Sequence, residues 1–156
     1  MKCQRACSAP IGHRHCARME RIAIVSAART PIGKFLGALS PLSAVDLGAA
    51  AVTAALARAD VDPTDVEELY MGQARQLGSG PNPARQVGVR AGCGDGAVAT
   101  TVNKACGSSL KAIDLARAAI LLDERKVVVA GGMESMTNIP FLLPDLRRGY
   151  RLGHRE

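Results

Sequence analysis

The sequence predicts an α/β protein with a mostly parallel sheet and helices on both faces. Three observations predict it. Short β-branched or apolar runs alternate with longer helix-like segments from residue 21 to residue 134. Each strand-like run reads as apolar throughout, as strands covered on both faces do. Alanine and glycine are abundant while aromatics make up only 3% of the chain, which favours close helix-on-sheet packing over an aromatic-filled sandwich. With 156 residues there is room for one domain with a real core and too little for two.

Taken in order, RIAIVSA (21–27) is short, apolar and β-branched, the pattern of a buried first strand. TPIGKFLGALSP (30–41) is punctuated by Gly and Pro and reads as loop. An Ala/Leu/Val helix follows over 43–59, with Ser43 as N-cap and Asp46 at N3 completing a capping-box pair. DVDPTD (60–65) ends it in a turn, and VEELYMGQA (66–74) is the second strand. After the loop LGSGPNP (77–83), Pro83 suits the first turn of a helix running through Arg90. AVATTVN (97–103) is the third strand, a helix occupies 107–122, and KVVVAGGME (126–134) is the fourth strand. The order is βαβαβαβ. In the 107–122 helix Leu110, Ile113, Leu115, Ala116, Ala119, Ile120 and Leu122 cover most of the circumference, while Lys111, Asp114 and Arg117 form one narrow charged stripe. Such a helix is expected to be buried on most sides, so a missing half or a partner is expected to cover it.

The net charge of +6 sits at the ends of the chain. Residues 1–21 carry +4 and residues 147–156 carry +3, leaving the body at −1. No basic stripe remains for nucleic acid. No stretch approaches the roughly 20 uncharged apolar residues of a membrane span, so a soluble chain is expected. Residues 1–18 lack both helical and strand periodicity and are expected to be a disordered or spurious leader, with synthesis beginning at Met19. Their Cys3, Cys7, His13, His15 and Cys16 match no standard zinc spacing, and no metal is expected. Five cysteines without an apolar signal segment point to free thiols in a reducing compartment, the cytoplasm, or the mitochondrion if residues 1–18 are a transit peptide.

The chemistry centres on NKACGSSLKAI (103–113). Cys106 stands where a strand hands over to a helix, so its sulfur is expected beside the helix's first unpaired amides, which together with the macrodipole favour a thiolate. Gly107 would leave room for an acyl group, and Ser108 and Ser109 are small. A thiolate there would attack a thioester, with backbone N–H groups receiving the charge on the carbonyl oxygen. Set against this, a free cysteine is often only a small buried residue.

Four ordered blocks weigh against the bland reading, because they resemble the thiolases, acyl-CoA:acetyl-CoA C-acyltransferases. They are IVSAARTPIGKF (24–35), GSGPNPARQ (78–86), TVNKACGSSLKAI (101–113) and VVAGGMESMT (128–137), and GYRLGHRE (149–156) resembles the entry into that family's loop domain. The resemblance implies the N-terminal half of a three-layer thiolase-like fold, with a domain over 19–146 and the start of the loop domain over 147–156. It implies that Cys106 accepts the acyl group and that its backbone N–H helps form an oxyanion hole. Coenzyme A thioesters are then the substrates and no cofactor is bound. A homo-oligomer or a complementary thiolase half is the implied partner. Gly131 and Gly132 would allow close backbone approach or serve as turn glycines; Arg85 and Gln86 would cap a helix or meet a partner subunit. Ser109 stands where the family usually has glycine, and Ala74 and Arg75 stand where apolar residues are usual. Family members are more than twice as long, and their second half supplies a Gly-His-Pro histidine and a second cysteine; here the only histidines are His13, His15 and His154. The reading is therefore a Claisen-type acyltransferase, incomplete in this chain. Its alternatives are a non-catalytic remnant pairing with another thiolase subunit, or another condensing enzyme of the superfamily. A Cys93–Cys106 redox switch is the remaining thiol reading.

Overall fold

A computed structural model of the chain describes residues 22–122, 124–144 and 146–149. The leader and the tail residues 150–156, with all three histidines, lie outside the described residues. Three parallel strands, β1 (Glu68–Gly72), β2 (Val98–Val102) and β3 (Val128–Gly132), form a sheet in the order β2-β1-β3. The register pairs Glu68 with Val98 and Val128, and Gly72 with Val102 and Gly132, so the strand ends are flush.

Helix α1 (Ala44–Ala59) starts as its sequence dictates: Ser43 Oγ accepts the Asp46 N–H and the Asp46 carboxylate accepts the Ser43 N–H. A cap of this kind stabilises by about 1 kcal/mol. Helix α2 (Pro83–Arg90) places Pro83 in its first turn, where no N–H is needed, and Asn82 is its N-cap. Arg90 of α2 pairs with Asp46 of α1. Helix α3 (Ser108–Leu121) joins β2 to β3.

Because side chains alternate along a strand, Leu69 and Met71 point to one face of β1 and Glu68, Tyr70 and Gly72 to the other. The apolar core fills the first face: Val45, Ala49, Val52 and Leu56 of α1 and Ala84 and Val87 of α2 pack with Leu69 and Met71. Burying Leu69 completely contributes roughly 1.5–3 kcal/mol. On the other face α3 lies against β1 and β3 through the small residues Ala112, Ala116 and Ala119. Glu68 and Tyr70 are on that face; Glu68 Oε2 is 3.2 Å from Arg125 Nε. Burial, and then the Glu68 carboxylate, push the Tyr70 hydroxyl up to about 12.

Helices on both faces of a parallel sheet agree with the expected fold class. One expectation is corrected, and the helix whose cover was expected from outside the chain is indeed left open. Residues 22–27 form no strand: Ile24 and Val25 are 82% and 75% exposed, and the segment's hydrogen bond to the rest of the chain is from Arg58 Nη1 to the Ala27 carbonyl, 2.9 Å. A β-branched run becomes a strand only when a neighbour pairs its backbone, and none of the described residues does so. Helix α3 is buried along one face alone; Leu110 and Leu122 are 74% and 70% exposed, and Ile113 and Leu121 are also exposed. The second layer that its apolar circumference calls for is absent from the described residues.

Candidate active site

Cys106 follows β2 and precedes Gly107, the N-cap of α3. The approach is shaped by hydrogen bonds that the residue types specify. Asn103 Oδ1 accepts the Ala105 N–H at 3.1 Å, and Asn103 Nδ2 donates to the Ala74 carbonyl at 3.0 Å, tying the end of β2 to the loop after β1. Ala105 then takes a left-handed conformation, φ 47°, unusual for a residue with a Cβ. Ser108 Oγ accepts the Lys104 N–H at 2.8 Å and donates to the Ala105 carbonyl at 2.6 Å, holding the turn from below. Gly107 N–H donates to Lys104 O and Ser108 N–H to Ala105 O. Among the described residues no acceptor meets the Cys106 N–H. The thiol is free and exposed.

An open cleft of about 510 Å³ lies over this turn, lined by Cys106, Ser109, Arg75, Glu134, Met133 and Met136 among others. Its floor depends on two glycines that face each other in register. A Cβ on Gly72 would lie 2.6 Å from the backbone C of Ser108 and N of Ser109, and a Cβ on Gly132 would overlap Ser109 Oγ and lie 2.9 Å from Ser109 Cβ. The first turn of α3 therefore presses onto the ends of β1 and β3, which is possible only without side chains there. Gly131 needs no such allowance, since its Cβ would stand 3.4 Å from Met71 Sδ, an ordinary contact. Both glycines are thus inside β3, so neither is a turn glycine, and the expected close approach holds at Gly132 alone.

Three further expectations are corrected. Gly107 does not line the cleft; a Cβ there would face the Lys104 carbonyl at 3.4 Å. Ser108 is no passive small residue but a buried hydrogen-bond bracket. Ser109 sits tightly against Gly132 rather than in open space. Arg85 and Gln86 are structural: Arg85 Nη1 donates to Ala97 O at 2.8 Å, and Gln86 Nε2 donates to Ser79 O at 2.7 Å and Pro81 O at 2.9 Å. Cys93, the other described cysteine, is buried, and burial pushes its thiol up against the opposing pull of the Arg85 charge. That is the opposite of a reactive setting. Among the described residues no three His, Cys, Asp or Glu side chains gather as a metal-ligand set.

Sequence reasoning missed Glu134. Its Oε2 accepts the Ala74 N–H at 2.9 Å and the Arg75 N–H at 3.2 Å, closing one wall of the cleft. The two partners are about 60 residues apart, so no local pattern signals the contact. For Gly72 the sequence signals no more than a place in the 66–74 strand run, because its partner Ser109 lies 37 positions on.

The model of the thiolase N-terminal domain matches residues 22–156. The chain belongs to the thiolase family. Over 133 residues it is 50% identical to acetyl-CoA acetyltransferase 1 of Arabidopsis thaliana, covering 85% of this chain and 32% of that protein. Over 135 residues it is 50% identical to an acetyl-CoA acetyltransferase of Cupriavidus necator, covering 86% of this chain and 34% of that one. Among solved structures, the Acat5 thiolase of Ascaris suum in complex with coenzyme A superposes with a TM-score of 0.76 at 41% identity, over 77% of this chain and 31% of that one. The acetyl-CoA acetyltransferase of Syntrophomonas wolfei gives 0.81 at 36% identity, over 85% and 33%. This thiolase chain thus spans about a third of the length of the relatives it matches.

Proposed function

We propose that Cys106 is the acyl-accepting nucleophile of a thiolase-type acyltransferase acting on coenzyme A thioesters. The observation that carries this is the placement of an exposed thiol at the opening of α3, in a cleft of about 510 Å³, beside its own unpaired amide. In the step assigned to this chain, the thiolate adds to the thioester carbonyl. A carbon–sulfur bond to Cys106 forms, and the Cys106 N–H donates to the oxyanion. As the carbonyl re-forms, the bond to the carrier sulfur breaks; its electron pair leaves on that sulfur, which takes up the proton that Cys106 gave up. The following Claisen transfer to a second acyl-CoA needs a base; the one carboxylate lining the cleft, Glu134, is taken up by the Ala74 and Arg75 amides and no histidine is among the described residues, so that step is assigned to none of them.

Incubating the protein with acetyl-CoA and mapping the adduct by mass spectrometry tests the assignment. One acetyl group on Cys106, absent from Cys106→Ser, is the expected result. An adduct on Cys93 with Cys106 unmodified would overturn it.

A second reading is favoured by the exposed apolar face of α3: the chain pairs with a complementary thiolase half or subunit that covers Leu110, Ile113, Leu121 and Leu122. Sedimentation of the isolated chain as a stable, compact monomer counts against it.

A further inference from the structure

The loop after β1 brings an unspent positive charge to the Cys106 cleft. Arg75 lines the cleft with Cys106 and Ser109. Its backbone is held from both sides. The N–H donates to Glu134, 3.2 Å to Oε2 and 3.3 Å to Oε1, and the carbonyl accepts from Nε2 of the buried Gln73 at 3.1 Å. Gln73 Nε2 is itself fixed by donating to Ser79 Oγ at 2.8 Å. The Arg75 guanidinium, by contrast, makes no hydrogen bond or ion pair among the described residues. The nearest carboxylate along this wall, Glu134, is already engaged by the amides of Ala74 and Arg75. Arg75 is exposed and lines the cleft from a backbone held on both sides, so its charge is available to a bound anion and is not consumed by the fold.

We infer that Arg75 recognises a carboxylate at the far end of the acyl group, so that the chain takes ω-carboxyacyl thioesters in preference to neutral acyl thioesters of the same length. This rests on the reading of Cys106 as acyl acceptor. The planar fork of arginine matches a carboxylate bidentately and orients it, which a neutral chain end cannot exploit. The alternative anions on such a substrate are the phosphates of the carrier. The long pantetheine arm separates those phosphates from the thioester sulfur by far more bonds than separate an ω-carboxylate from the thioester carbon. Met133, Met136 and Ala74 supply an apolar wall for the methylenes between. In the transfer to Cys106 the ω-carboxylate keeps its charge and its bonds; only the thioester carbon changes its sulfur partner.

The test uses the full chain and four probes: adipoyl and hexanoyl thioesters, each on N-acetylcysteamine and on coenzyme A. The rate of acylation of Cys106 is followed by intact mass and peptide mapping for the wild type, Arg75→Gln and Arg75→Lys. On both carriers the wild type is expected to prefer adipoyl about tenfold, the effect of one charge-assisted hydrogen-bonded pair. The preference falls to near one in Arg75→Gln and is partly kept in Arg75→Lys. As a ratio within each variant, it is insensitive to differences in overall folding. Three results overturn the inference: equal rates for both acyl groups in the wild type, a preference that survives Arg75→Gln, or a loss in Arg75→Gln that strikes coenzyme A thioesters alike and spares the N-acetylcysteamine ones. The last would put the carrier's phosphates on Arg75. If Cys106 is acylated by none of the four probes, the acyl-acceptor reading fails and the inference with it.

Discussion

Replacing Gly132 by alanine is expected to destabilise the protein, and replacing Ser109 by glycine in the same molecule is expected to rescue it. The added Cβ would overlap Ser109 Oγ, lie 2.9 Å from Ser109 Cβ and 3.3 Å from the Gly72 carbonyl oxygen. Rotating the serine removes the first overlap but not the second, which is well inside the roughly 3.5–4.0 Å of a carbon–carbon contact. The helix cannot simply ride up, because Ser108 and Ser109 are part of the turn that Ser108 Oγ, Lys104 and Ala105 hold together. Nor can it slide toward β1, where the backbone of the same turn already rests on Gly72. Overpacking of this kind costs about 1–3 kcal/mol. Ser109→Gly alone gives up no hydrogen bond among the described residues and costs at most about 1 kcal/mol for glycine in a helix. With both changes the closest remaining approach to the new methyl is the 3.3 Å carbonyl contact, so the double variant should be more stable than the sum of the singles by about 1–2 kcal/mol. Urea unfolding of the four proteins at constant m-value measures this coupling. Additivity within about 0.3–0.5 kcal/mol would refute the claim that the two residues compete for one space. The alkylation rate of Cys106 provides a second readout. It should change in Gly132→Ala and return toward the wild-type value in the double variant, because the nucleophile sits on the turn that moves.

Two predictions concern ionisation. The Ser43 hydroxyl and backbone N–H bound to Asp46 hold its carboxyl below the usual range, with the Arg90 charge adding to the effect. A depressed folded pKa stabilises above the unfolded value of about 3.9 and is lost as pH falls through the lower folded value. Asp46→Asn should therefore be less stable by about 0.5–1 kcal/mol at neutral pH, with the difference from wild type shrinking below about pH 4; chemical unfolding at several pH values would disprove this if the two proteins lose stability in parallel. Tyr70 behaves in the opposite sense. Its hydroxyl is pushed up to about 12 by burial, so its contribution is complete below the unfolded value of about 10 and is lost as pH rises from there toward 12. Ultraviolet titration against Tyr70→Phe should assign to it the later-ionising of the two tyrosines, and a normal midpoint would contradict its burial against Glu68.

Features that depend on a few neighbouring residues are legible in the chain's order alone. Ser43 and Asp46 are three apart and close their box in any context that lets α1 begin; Pro83 has its φ set by its own ring; Cys106 comes between a Val/Thr run and a small-residue helix start, which places it at the junction whatever surrounds it. The alternation of strand-like and helical periods likewise implied parallel pairing, since crossover helices bring strands back in the same direction. Which of these segments find partners depends instead on how the folded chain packs. The run 22–27 has the composition of a strand but no neighbour among the described residues, and pairing is a property of two segments. The apolar circumference of α3 says that it wants cover on several sides, whereas its exposure records that these residues supply cover on one. The need for glycine at 72 and 132, and the grip of Glu134 on the amides of residues 74 and 75, arise between residues about 25 to 60 positions apart. Contacts at such separations are fixed by how helix and sheet pack, so they leave no mark in the local pattern.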